Sequence, residues 1–212
     1  MLDLFRHAGW VAWPLGFYAV LSLGVMLERL FVLTWLSQQE DHAFAVIEAT
    51  VGRSAKHGEK LDEAVLRDPQ VAAAPVSQVL VTLYPLSGSD SETIMQVADM
   101  AVGMQRLRLR RYLNTLATIG STAPFIGLFG TVLGVMSAFQ AMSRSGLSGE
   151  TMAAGISEAL SATALGLLVA IPSVIMYNFL VGRVQAMMLP IHGHVARLTP
   201  LISAAQRGSQ EA

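Results

Sequence analysis

A chain of 212 residues with 53% apolar residues, 14% charged residues and a net charge of −1 holds little more than half the roughly 25% of charged residues usual in a soluble domain. That balance argues against a soluble enzyme, and a pI of about 6.5 gives no basic excess for nucleic acid. No cysteine is present, which excludes a disulfide framework, a thiolate metal site and a cysteine nucleophile.

Three long stretches carry no Asp, Glu, Lys or Arg: Gly9 to Leu27, Tyr112 to Ser143 and Ala159 to Gly182, of 19, 32 and 24 residues. Crossing the hydrocarbon core of a bilayer takes about 20 apolar residues in a helix. The spacing therefore predicts an all-α membrane protein with three transmembrane helices and a helical domain outside the membrane. The second stretch is roughly 48 Å long as a helix, so it should tilt or protrude into water at one end; the second and third helices are expected to be long and to extend into the cytoplasm.

In chain order, residues 1–8 form a short outer segment and 9–36 the first transmembrane helix. The apolar run continues past Glu28-Arg29 through Leu30-Phe31-Val32-Leu33, too long for a secretory signal, so it is expected to be a retained anchor. Trp10, Trp13 and Tyr18 suit one membrane interface and Trp35 the other. Residues 37–111 are predicted to be a helical cytoplasmic loop. Phe44, Ile47 and Val51 share one helix face there, as do Leu61, Val65 and Leu66. Asp68-Pro69, Pro75, and Pro85 followed by Ser87-Gly88-Ser89 mark turns. Ser91 opens Ser-Glu-Thr-Ile, a helix start whose helix is expected to run into the second span. Residues 112–143 form the second transmembrane helix, 144–157 a short outer loop, 158–182 the third transmembrane helix and 183–212 a cytoplasmic tail. Twelve of the fourteen Lys and Arg fall between Glu28 and Arg111 or after Gly182, which the positive-inside rule places in the cytoplasm.

Enzyme patterns are absent. No Gly-rich run is followed by Lys-Ser or Lys-Thr, so no nucleotide loop is expected. His192-Gly-His194 lacks the spacing of a zinc protease, and no metal or cofactor site is expected. Gly146-Leu-Ser148-Gly149 has no histidine in a span to serve as base, so no catalytic residue is assigned.

The spans offer few groups that could handle an ion. Glu158 heads the third stretch, and Thr131 and Thr163 place hydroxyls in the second and third. A carboxylate in a membrane helix costs about 2.5–3.5 kcal/mol and faces a bundle interior or a watery path. Glu158 is therefore either a helix-start charge at headgroup level or a buried group that trades protons. Thr163 lies about 140° around the helix from it, so the two fit a wide lumen better than one narrow stripe. Gly127, Gly130 and Gly134 suit close helix packing. Pro124 and Pro172 each remove a backbone donor and predict kinks. Arg106, Arg108, Arg110 and Arg111 form a basic cluster before the second span, suited to anchoring topology and to anionic lipid headgroups.

The segment Leu116-Ala-Thr-Ile-Gly-Ser-Thr-Ala-Pro-Phe-Ile-Gly-Leu-Phe-Gly-Thr-Val-Leu-Gly-Val-Met-Ser-Ala-Phe139 closely resembles the second span of the MotA/TolQ/ExbB proton-channel family. Gly155-Ile-Ser-Glu-Ala-Leu-Ser-Ala-Thr-Ala-Leu-Gly-Leu-Leu-Val-Ala-Ile-Pro-Ser-Val-Ile-Met-Tyr-Asn178 resembles its third, and Trp13-Pro-Leu with Leu27-Glu-Arg-Leu30 is similar to the start of ExbB-type members. The likeness covers residues 10–36 and 105–185. It implies a proton-channel subunit of the bacterial inner membrane, with its N-terminus periplasmic and its C-terminus cytoplasmic. It further implies a homo-oligomeric ring, typically a pentamer, around an ExbD/TolR-like single-span partner whose membrane Asp carries protons. The current would drive a TonB- or TolA-like protein. By motif, Thr131, Glu158 and Thr163 occupy the family's polar pore positions. Leu133 stands where Trp is common, and Ser157 and Ser161 where Ala or Leu is common, which implies a slightly smaller-walled, more polar lumen. An ExbB-like role in TonB-dependent transport is expected ahead of a TolQ-like role in the Tol-Pal system or a purely structural scaffold.

Overall fold

A computed structural model describes residues 9–57, 64–69, 71–86, 89, 91–145 and 149–208. The expected outer segment 1–8, Leu61, the Ser87-Gly88 turn and Gly146 to Ser148 lie outside the described residues. Among the described residues six α-helices follow one another: α1 (Ala12–His57), α2 (Ala64–Arg67), α3 (Pro75–Leu83), α4 (Ser91–Leu109), α5 (Leu113–Ser145) and α6 (Gly149–Gly208). Short 3-10 turns precede α1 at Gly9–Val11 and follow α3 at Tyr84–Leu86. No strand occurs among the described residues.

Three of these helices are long and apolar enough to cross a membrane, Ala12–Arg53, Leu113–Ser143 and Met152–Pro200, with mean hydropathies of 1.7, 1.7 and 2.1 over an 18-residue stretch of each. Their surfaces carry large apolar side chains in the open, among them Trp13 (80% exposed), Phe17, Phe31, Phe125, Phe129 and Ile175. Helices apolar on every side belong in lipid or deep in protein. The helices outrun the expected spans. α1 holds 46 residues and α6 holds 60, lengths of roughly 69 and 90 Å against a hydrocarbon core of about 30 Å. Residues 149–157, expected as loop, are already helical. α5 and α6 continue as helix through Pro124 and Pro172.

Two compact units divide the chain. The first comprises residues up to Arg29 and Tyr112–Leu180. Its core joins Val11, Ala12 and Leu15 to Ile119 and Ala123 of α5 and to Ala162, Leu165, Val169 and Ala170 of α6. The second comprises Leu30–Arg111 and the chain from Val181. Its buried rows are Ala43, Ile47 and Val51 on α1 and Val184, Met188, Ile191, Val195 and Leu198 on α6. These repeat at three- and four-residue steps, as a helix with one covered face must. Val76, Val79, Leu80 and Leu83 of α3 are buried with them, as is Leu66 of α2. Phe44 of the expected face is half-buried.

α4 does not run on into α5. It stops at Leu109, Arg110 to Tyr112 form a turn, and Tyr112 takes φ 65°. Left-handed backbone costs a residue with a Cβ about 1–2 kcal/mol. The Tyr112 ring lies 4.9 Å from the Arg29 guanidinium, and Arg29 in turn holds both carboxylate oxygens of Glu28 at 2.7 and 3.0 Å. A cation over an aromatic face contributes about 0.5–2 kcal/mol, enough to offset much of the strain that breaks the helix there.

Candidate ion-path site in the first unit

α5 and α6 meet antiparallel along a seam of small residues. A Cβ on Gly134 would stand 2.6 Å from the Ala159 methyl, and one on Gly130 2.8 Å from the Ala162 methyl. At Gly127 the obstacles are main chain: the Ala162 carbonyl oxygen at 2.8 Å and the Thr163 Cα at 2.9 Å. Gly166 faces back with its virtual Cβ 2.7 Å from the Ala123 carbonyl oxygen, and Gly155 faces the Ala138 methyl at 2.8 Å. The partners step by three or four residues along both helices, so the backbones stay close over several turns.

At one end of this seam opens a cleft of about 340 Å³, lined by Trp10, Val11, Gly130, Leu133, Gly134, Ser137, Gly155, Glu158, Ala159 and Ala162. That is room for on the order of ten waters. Glu158 is its one carboxylate among the described residues. Ser137 of α5 also lines it, its hydroxyl donating to the Gly134 carbonyl at 2.8 Å. Trp10 packs edge-on to Phe129, ring centroids 6.3 Å apart.

The three polar residues singled out in the sequence do not share this cleft. Thr131 and Thr163 are absent from its lining. The Thr131 hydroxyl donates to the Leu128 carbonyl at 2.6 Å, satisfied within its own helix. The Thr163 hydroxyl oxygen is buried and has no hydrogen-bond partner among the described residues. That is an uncommon state, because a buried polar atom left unpaired costs about 1–3 kcal/mol. Gly130 and Gly134 line both the seam and the cleft. Sequence reasoning missed Trp10, Ser137 and the facing row Gly155, Ala159, Ala162. Ser137 continues the Gly130–Gly134 face by three residues and was there to be read; Trp10 comes from far along the chain and carries no local sign.

Arg106 and Arg108 end α4, and Arg110 and Arg111 lie in the turn. The Arg108 guanidinium donates to the Gln78 side-chain oxygen of α3, so part of the basic cluster holds two helices of the second unit together. Among the described residues no group of three or more His, Asp or Glu side chains is placed to hold a metal.

A family model described as the MotA/TolQ/ExbB proton channel family matches residues 63–192. The chain is 46% identical over 89 residues to the biopolymer transport protein ExbB of Aquifex aeolicus, covering 40% of this chain and 60% of that one. It is 43% identical over 96 residues to the Tol-Pal system protein TolQ of Pseudomonas aeruginosa, covering 43% and 42% respectively. Over 76 residues it is 54% identical to ExbB of Neisseria gonorrhoeae, covering 34% of each chain. The matches thus span between about a third and three fifths of these relatives. With the family model covering more than half of its length, this chain belongs to the MotA/TolQ/ExbB proton channel family.

Proposed function

We propose that the chain is an ExbB-like subunit of an inner-membrane proton channel. It works as a homo-oligomer, a pentamer, around an ExbD- or TolR-like single-span partner, and passes the proton motive force to a TonB- or TolA-like protein to power transport across the outer membrane. The observation that carries this reading is the placing of Glu158: a carboxylate opening into a cleft, at the head of a 24-residue uncharged stretch. Among the described residues no other carboxylate lines that cleft, so a relay draws on further copies and an acid from the partner. Each proton crossing releases roughly 2.3 kcal/mol per 100 mV, and several crossings together drive a large movement.

In this reading residues 1–8 and the 144–157 segment face the periplasm, while 37–111 and 183–212 lie in the cytoplasm, in accord with the Lys and Arg distribution. Thr131 and Thr163 hold water or orient the moving proton, and Pro124 and Pro172 set kinks in the pore helices. Arg106, Arg110 and Arg111 meet anionic headgroups. The TolQ relative, at 43% identity against 46% for the ExbB relative, favours a Tol-Pal role as second reading. Complementation of strains lacking one system or the other separates the two.

Thr163→Val tests the path itself. Because the hydroxyl has no partner among the described residues, exchanging it for a methyl should leave stability unchanged or raise it by up to about 1 kcal/mol. Proton flux through the reconstituted complex should nevertheless fall several-fold, and sodium replacement should not alter it. A variant with full flux would assign Thr163 to packing and favour a scaffold.

A further inference from the structure

Outside the cleft, the most unusual chemistry lies in the second unit, beyond the apolar part of α1, which ends near Leu36. Glu40 is only 3% exposed, in a run, Gln38-Gln39-Glu40-Asp41-His42, that reads as a solvated face. One of its carboxylate oxygens accepts the Val76 N–H at 3.1 Å. Val76 is in the first turn of α3, whose N-cap Ala74 offers no side-chain bond. α1 thus supplies across space the cap that α3 lacks, an oxygen for an N–H left without a partner in the first turn. The other oxygen, Oε1, lies 3.8 Å from His194 Nδ1 of α6. Neither of these two atoms has a hydrogen-bond partner among the described residues. Phe44 stacks on the imidazole, centroids 3.6 Å apart and planes 11° from parallel, which fixes the orientation of the ring. Three helices therefore converge on one acid and one base.

We propose that Glu40 and His194 act as a one-proton couple that pins the N-terminus of α3 and keeps that attachment indifferent to pH across the mildly acidic range. The other charged groups around them are two acids and one base. α1 presents Asp41 and Glu48, and α6 presents Arg197, which pairs with Glu48 at 2.6 Å. α3 has no titratable side chain, and the exposed Arg67 and Asp68 lie on the segment before it.

Burial pushes the Glu40 carboxyl up from 4.5 to about 7; the Val76 N–H opposes this and Asp41 adds to it. Burial lowers His194 from 6.5, with Asp41 and Glu48 opposing and Arg197 assisting. The raised acid stabilises the packed form in full below its ordinary value, and this is lost as pH rises through about 7. The depressed base does the reverse: its stabilisation is full above 6.5 and is lost as pH falls towards the lowered value. Packed, the couple keeps its proton on Glu40; opened to water, the same proton sits on His194. Below 6.5 and above the lowered His194 value both forms hold one proton, so opening neither releases nor takes one up. Between 6.5 and about 7 only the packed form keeps it, and the attachment weakens by no more than about three-fold.

The test is hydrogen exchange of the amides of residues 77–80 in the full-length protein in lipid nanodiscs, from pH 5.5 to 8, corrected for intrinsic exchange rates. The wild type should vary much less across this range than either single variant. His194→Gln should expose the acid alone, with opening rising up to about ten-fold per pH unit until it levels off near 7. Glu40→Gln should expose the base alone, with opening rising as pH falls below 6.5, more gently because the His194 side chain is 20% exposed. The double variant should again be flat. Single variants that loosen α3 equally at every pH, or a wild type with a ten-fold slope per unit, would overturn the couple. The readout does not depend on proton flux, so it stands apart from the channel reading.

Discussion

Glu158→Gln is expected to stop proton passage while leaving the assembly intact. The amide keeps the size and shape of the carboxylate, so the cleft beside Gly134, Ser137 and Ala159 keeps its lining. What goes is the capacity to hold a proton and give it up. Removing a positioned proton-transfer group costs about 100-fold or more. Reconstituted complexes should therefore show flux at least about 100-fold below wild type, while sedimentation or native mass measurements report an unchanged assembly. Undiminished flux in a correctly assembled variant would remove Glu158 from the path. Loss of assembly would instead make the carboxylate a packing element, and Glu158→Asp, which keeps the charge, would then be expected to restore assembly.

The second large effect concerns the seam. Gly127→Ala must place a methyl within 2.8 Å of the Ala162 carbonyl oxygen and 2.9 Å of the Thr163 Cα. Both obstacles are main chain and cannot rotate away, so α5 and α6 must separate. The same holds at Gly166, 2.7 Å from the Ala123 carbonyl oxygen. Overpacking of this kind costs about 1–3 kcal/mol, and valine at either site should exceed that range and prevent recovery of folded protein. Gly52 and Gly103 meet nothing within 4 Å. Alanine there should be harmless or add about 0.5–1 kcal/mol, because glycine weakens a helix interior. Thermal unfolding of the four alanine variants in one detergent gives the comparison.

Much of the architecture was written in the uncharged stretches, since a bilayer demands long apolar helices and little else produces them. Their true ends were not. Hydropathy marks where a helix meets lipid, and α1 continues past Leu36 on a different support, the buried face of Ala43, Ile47 and Val51. The break at Tyr112 had no glycine or asparagine to announce it; its stabilising partner, Arg29, lies 83 positions earlier in the chain. Glu158 was legible because a lone acid near a span is costly. Glu40 was not, because neighbours such as Asp41 and His42 are indeed exposed, and only helices distant in sequence bury it. The glycines of α5 were noted, but their counterparts Gly155, Ala159 and Ala162 became visible as a row only when the two helices were set side by side.

That row has a mechanical consequence. With methyls and main-chain atoms in direct contact from Gly155 to Gly166, α5 and α6 have no slack to slide or twist against each other without collision. In the proposed oligomer each chain is thus a pre-built stave, like one board of a barrel. On the proposed channel reading, a gap that widens and narrows for passing ions then forms between staves rather than within one.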